Sequence, residues 1–239
     1  MNRIRKPAKS HLYIAATRSY NGVGCRKDWR RSFILMKRAA KMGDIAAMTA
    51  LGTYYFYGIG VERNARLAAR WYRLAAEKGD LDAQYNLAAS YAEGNGIRRS
   101  YKDALKWLEL PTRYRMPEAL YMMGQFYLFG QGVKKQPRRG FLFEVRASER
   151  GLAAAMFSAG HCLSQGIGTR ANFKKALTWY KRAARKGHPE AAYNVGYFYE
   201  NGRGVSKNRT AARRWYRTAV RLGDVDAKLS IRRLDRPIG

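Results

Sequence analysis

The pair Gly-x-Gly recurs with its first glycine at Gly22, Gly58, Gly94, Gly130, Gly166 and Gly202, each 36 residues after the last. A fixed period of this length makes the chain an array of repeats, and the period has to be read before any single residue. A unit this short cannot bury its apolar face alone, so stacked neighbours must supply the core. Arrays of this kind present surfaces, which directs the functional reading toward binding.

Within the 36-residue frame, apolar and small residues trace one face of a first helix. Ala47, Ala83, Ala119, Ala155 and Ala191 share one position, and Leu51, Leu87, Met123, Ala159 and Val195 another. Gly52, Ala88, Gly124, Gly160 and Gly196 follow, then Tyr55, Tyr91, Tyr127, Leu163 and Tyr199. Asp44, Asp80 and Asp224 are placed to cap this helix, with Pro117 and Pro189 at the next position, where proline is tolerated. Its stop is the Gly-x-Gly turn, because glycine adopts the positive φ that ends a helix.

A second start signal stands at Asp28, Asn64, Ser100, Asn172 and Asn208, with Gln136-Pro137 in the fourth unit. The second helix carries Ala68, Ala104, Gly140, Ala176 and Ala212, then Trp71, Trp107, Phe143, Trp179 and Trp215, then Ala75, Ala147, Ala183 and Ala219. Spacings of three and four put these in one buried stripe, so the tryptophans read as core. The helix closes at Gly43, Gly79, Gly151, Gly187 and Gly223. In the third unit Leu110-Pro111 replaces Ala-Ala, and Arg115 stands where the closing glycine should be. An interior proline costs about 3 kcal/mol, which predicts an early end to that helix and an irregular junction.

The run Ala47, Leu51-Gly52, Tyr55, Gly58, Gly60-Val61, then Ala68, Trp71-Tyr72, Ala75-Ala76 and Gly79 resembles the Sel-one-like repeat, a relative of the tetratricopeptide repeat. The resemblance covers nearly the whole chain. It implies an all-α fold, a right-handed α/α superhelical solenoid of about six 36-residue helix-turn-helix repeats, with first helices on the concave side and second helices on the convex side. It also implies adaptor or scaffold roles and brings no catalytic residues. The expected divisions are a basic N-terminal segment with a degenerate first helix over 1–19, the solenoid over 20–223, and a capping helix and tail over 224–239. Cys25 and Cys162 are the two cysteines, in different repeats. That excludes the family variant whose helices are bridged by disulfides and fits a reducing compartment.

The exposed positions of the two helices differ in chemistry. Lys and Arg number 47 against 17 Asp and Glu, a formal net charge of +30, which implies attraction to nucleic acid, anionic lipid or an acidic protein. The frame assigns Arg66, Arg70, Arg73, Lys102, Lys106, Lys174, Lys181, Arg185, Arg214, Arg217 and Arg221 to the outward side of the second helices. Arg98, Arg99, Lys134 and Lys135 join them along the turn edge, so the convex face and edge should be basic. The outward side of the first helices holds Thr53, Tyr57, Asn86, Glu93, Gln125, Phe129, His161, Gln165, Asn194, Tyr197 and Asn201. Glu93 is the one charge among them, and such a groove suits a protein element.

Sharper chemistry finds little support. A dinucleotide fingerprint needs a preceding strand and a third glycine. His161-Cys162 lacks the orienting group of a nucleophile pair and any cluster that would hold zinc. No cofactor is expected. After Arg3, Arg5, Lys6 and Lys9 the apolar stretch Leu12 to Ala16 falls short of the about 7–15 residues of a secretory core. Nothing approaches the roughly 20 apolar residues of a membrane span. The expectation is a cytoplasmic, non-enzymatic adaptor whose groove takes a protein element and whose basic convex face engages an acidic protein partner or an anionic surface. The alternative is a nucleic-acid-associated protein that holds RNA or DNA phosphates through its Arg and Lys rows, although the charge lies outside the groove a sequence reader would use.

Overall fold

The computed structural model describes residues 10–235, and among the described residues every regular element is an α-helix. The basic residues Arg3, Arg5, Lys6 and Lys9 and the last four residues of the tail lie outside them. The chain divides between Tyr114 and Arg115 into two compact units. Unit 1 holds α1 (His11–Asn21), α2 (Trp29–Lys41), α3 (Ile45–Tyr57), α4 (Ala65–Glu77), α5 (Leu81–Glu93) and α6 (Tyr101–Arg113). Unit 2 holds α7 (Pro117–Phe129), α8 (Pro137–Glu149), α9 (Ala153–Gln165), α10 (Phe173–Arg185), α11 (Pro189–Asn201), α12 (Arg209–Leu222) and α13 (Ala227–Asp235).

The helix starts follow from their caps. Asp28, Asn64, Ser100, Asn172 and Asn208 accept the backbone N–H three residues on at 2.7–3.2 Å. Asp44, Asp80 and Asp224 do the same for the first helices at 2.8–3.0 Å. Each such cap is worth about 1 kcal/mol. Pro117, Pro137 and Pro189 occupy the first turn of α7, α8 and α11, where a missing N–H goes unnoticed.

The two glycines of each turn have separate tasks. The first ends its helix in the left-handed region, as at Gly58 with φ 74°. The second is also left-handed, and at Gly60, Gly96, Gly168 and Gly204 it presses on the first turn of the preceding second helix, whereas Gly24 has nothing within 4 Å of its missing Cβ. A Cβ on Gly60, Gly96 or Gly168 would lie 2.1 Å from the carbonyl oxygen of Trp29, Ala65 or Pro137 respectively. By contrast Gly79, with φ 87°, has nothing within 4 Å of its missing Cβ. Gly96→Ala should therefore destabilise more than Gly79→Ala by about 1–3 kcal/mol, the overpacking part of the cost. Equal urea midpoints for the two variants would refute the close-approach argument.

Two expectations need correction. Helix α6 does not end early: it runs through Pro111 to Arg113. The proline lies in the last turn and its ring is fully buried, so apolar burial offsets the one lost hydrogen bond. Arg115 then takes the place of the closing glycine at φ 58°. The second correction concerns the tryptophans. Trp71, Trp107, Trp179 and Trp215 are half-buried against the core clusters, not inside them. The fully enclosed position is the next one, at Tyr72, Leu108, Glu144, Tyr180 and Tyr216. Its side chains fit over the glycines of the first helices. A Cβ on Gly52, Gly160 or Gly196 would lie 2.5–2.8 Å from the ring of Tyr72, Tyr180 or Tyr216.

Candidate functional site

The first-helix face of unit 1 gathers four of the groove residues around one hollow. Thr53 and Tyr57 on α3 and Asn86 and Glu93 on α5 line a cavity of about 480 Å³ together with Phe56 and Tyr85. Tyr57 stands 69% exposed, its ring edge-on to Phe56 at 4.9 Å. The hydroxyl of Tyr72 donates to Thr53 Oγ1 at 3.2 Å, which fixes the floor. At the rim Asn95 Nδ2 donates to Glu93 Oε2 at 2.5 Å.

In unit 2 the remaining groove residues are spread over three helices. Phe129 on α7 is 64% exposed, and His161 and Gln165 on α9 are exposed. Asn194 and Tyr197 on α11 are half-buried, the Tyr197 ring lying under the Arg203 guanidinium at 5.2 Å. Asn201 Nδ2 donates to the Tyr197 carbonyl at 2.9 Å. Gln125 is committed inward, its Nε2 donating to Glu144 Oε1 at 2.5 Å and to Ser158 Oγ at 3.3 Å.

Glu144 is the residue that the periodic reading missed. The signal was present, since it stands in the frame of Tyr72, Tyr180 and Tyr216. Its carboxyl enters the socket of Gly124, where a Cβ would lie 2.7 Å from Oε1. Oε2 is buried without a hydrogen-bond partner. Burial pushes the acid up to about 8, against the opposing hydrogen bonds from Gln125 and Ser158, so the group is neutral at pH 7. Burial, with a smaller contribution from Glu144, also pushes the Cys162 thiol up to about 12, which leaves it unreactive. A further carboxylate, Glu200, accepts the Tyr216 hydroxyl at 2.6 Å and pairs with Arg233 at 2.9 Å.

The basic candidates lie on the second helices and in the turns. Arg66, Arg70, Arg73, Lys102, Lys106, Lys174, Arg185, Arg214, Arg217 and Arg221 are exposed on second helices, as are Arg98, Arg99, Lys134 and Lys135 in the turns. Lys181 is half-buried and donates to Tyr199 Oη at 2.7 Å, and Arg73 likewise donates to Tyr91 Oη at 2.8 Å. Among the described residues, Lys106 alone of these candidates pairs with a carboxylate, Asp103 at 3.5 Å. No group of described His, Cys, Asp or Glu side chains has a metal-binding arrangement, and no described helix is long and apolar enough to cross a membrane.

Paired helices, glycine-set junctions and a face of rings and amides define a helical repeat protein of the all-α solenoid class. The Sel1 repeat model matches residues 8–44, 45–80, 81–110, 117–152, 153–188 and 189–224, and the chain belongs to the Sel1 repeat family. Proteins of this family generally mediate protein–protein interaction and are typically non-enzymatic scaffolds. Among solved structures, a Sel1 repeat protein from Oxalobacter formigenes is 26% identical with a TM-score of 0.85, over 94% of this chain and 65% of that one. A protective antigen of uropathogenic Escherichia coli strains, with an SLR fold, is 26% identical with a TM-score of 0.58, over 92% of this chain and 55% of that one. The chain thus spans less than two thirds of either relative. The immunity protein PA5088 from Pseudomonas aeruginosa, 20% identical with a TM-score of 0.61 over 98% of this chain and 90% of that one, shares the fold. No curated protein matches the chain.

Proposed function

We propose that this chain is a non-enzymatic adaptor that holds a protein element on its first-helix face and draws an acidic partner to its basic second-helix face. The observation that carries this reading is the unit 1 hollow, where Thr53, Tyr57, Asn86 and Glu93 from successive repeats meet around aromatic walls. Rings cover apolar side chains of a partner, and amides and hydroxyls bond its backbone, which is the chemistry of a protein interface core and rim. The exposed cations then act at long range by raising the encounter rate. A cytoplasmic setting suits the exposed free thiol of Cys25.

The test is capture of a partner from nuclease-treated lysate, followed by binding kinetics with the captured protein. Tyr57→Ala with Asn86→Ala should weaken binding by about 2 kcal/mol, roughly thirtyfold, mainly through faster dissociation. Charge reversal at Arg66 and Arg70 should instead slow association and flatten its salt dependence. Unchanged dissociation in the Tyr57/Asn86 variant would refute the groove reading. The second reading, a nucleic-acid partner, is favoured by one specific cavity on the second-helix face of unit 2.

A further inference from the structure

That cavity, of about 620 Å³, opens between α10 and α12. Arg185 reaches it from α10, and Thr210, Arg214, Trp215, Thr218 and Arg221 from α12. No Asp or Glu is among its described lining residues. Arg185, Arg214 and Arg221 are exposed, and none forms an ion pair among the described residues. Arg221 Nη2 donates to Thr218 Oγ1 at 3.2 Å, while Lys181, bonded to the lining residue Tyr199, adds a fourth cation at the edge.

Three guanidiniums around one hollow repel one another, and a bound anion would relieve that repulsion. The planar fork of arginine matches phosphate oxygens in pairs, and the Thr210 hydroxyl lines the same hollow, while that of Thr218 already donates to the Arg214 carbonyl at 3.1 Å. The volume lies within the range of ligand pockets, so a phosphate alone would leave much of it empty. The indole of Trp215, half-buried against the core, turns its remaining surface to the hollow as a further wall, and cations beside an accessible ring face are how single-stranded nucleic acids are held. The same pairing occurs separately in unit 1. There Arg26, Lys27 and Arg31 surround Trp29 in a cavity of about 610 Å³ that Asp28 also lines, the ring being 51% exposed with Lys27 Nζ 4.9 Å from its centre. An acidic peptide would satisfy the arginines but brings a ring to the indole only where its sequence carries one beside the acids, whereas every nucleotide carries a planar base next to its phosphate.

We infer that the cavity between α10 and α12 binds a nucleotide unit of a single-stranded nucleic acid, with phosphate oxygens on Arg185, Arg214 and Arg221 and a base against Trp215. The site lies apart from the first-helix face, so its failure leaves the groove reading untouched and returns these arginines to the acidic protein partner.

The experiment is fluorescence anisotropy of the full chain with a labelled single-stranded oligonucleotide of mixed sequence, between about 50 and 200 mM salt. Alanine at Arg185, Arg214 and Arg221 together should lower affinity at least tenfold. It should also reduce the slope of log affinity against log salt by about 2, at roughly 0.7 per phosphate for a single strand. An abasic strand of the same length should bind the parent about tenfold more weakly, through loss of stacking. Alanine at Arg66, Arg70 and Arg73 removes equal charge elsewhere and should cost less. Should the first variant melt early, lysine at its three positions keeps the charge and should still bind several-fold more weakly than the parent. Equal losses from the two alanine variants, parent-like binding by the lysine variant, or equal binding of the abasic strand would each overturn the inference. So would polyglutamate competing as well as the oligonucleotide, which would make this a site for an acidic protein.

Discussion

Tyr180→Ala should lower the stability of the fold by about 3–5 kcal/mol, more than Trp179→Ala beside it. Tyr180 is 2% exposed and closes over Gly160, with ring contacts to Phe157 and Phe198 at 5.8 and 5.4 Å. Removing its ring empties the socket that the glycine leaves open, and neither helix can collapse into it without breaking its junction. Trp179 keeps part of its indole in water and carries the Arg182 guanidinium 4.9 Å from its ring, so its loss should cost about 1.5–3 kcal/mol. Tyr180→Phe removes only a hydroxyl 3.4 Å from Ser164 and should cost less than about 1 kcal/mol. Urea unfolding followed by helical circular dichroism gives all three. A larger loss for Trp179→Ala than for Tyr180→Ala would restore the tryptophan as the centre of the core.

Glu144→Gln should make the protein more stable at pH 8 and nearly unchanged below pH 4.5. The folded carboxyl holds its proton up to about 8, against the 4.5 of an unburied glutamate in the unfolded chain. Between those limits the folded state binds one proton more than the unfolded state, so stability falls as pH rises, by up to about 1.4 kcal/mol per pH unit. This contribution is fully present below pH 4.5 and is lost as pH rises through 8. Glutamine keeps the shape and cannot ionise, which removes the slope and leaves a gain on the order of 3 kcal/mol at pH 8. His188 also has a shifted pKa, lowered by burial, so the measurement is the difference between parent and variant at each pH. Parallel stability curves for the two would show that the carboxyl is not held neutral.

The side-chain caps and glycine stops were legible because they are local: an Asp, Asn or Ser side chain and its own N–H groups need no tertiary information, although α7, α8, α9 and α11 start without such a cap. Which residue of the Trp71-Tyr72 pair is enclosed was not. Adjacent residues on a helix lie about 100° apart, and both border the same apolar stripe, so periodicity leaves the rotation of the helix open. Only the glycine opposite, Gly52, decides it, and that contact joins two helices. Pro111 misled in the opposite direction, since its local cost was visible and its compensating burial was not. The groove was half legible. Thr53, Tyr57, Asn86 and Glu93 share a hollow, while Gln125 turns inward to a carboxyl whose protonation follows from burial alone. The arginines around Trp215 were named singly, but their gathering belongs to the spacing of α10 and α12.

The second glycine of each turn sets the quantum in which such a chain can change length. Gly60 and Gly96 each meet the opening of a helix two elements earlier, at Trp29 and Ala65. Losing one residue from a turn would carry a side chain into that contact. Removing or duplicating a whole 36-residue block within unit 1 sets a like glycine against a like helix opening, so the contacts made at Gly60 and Gly96 survive. The array therefore changes length by complete steps, and each step adds or deletes one first helix and one second helix with the outer side chains they carry.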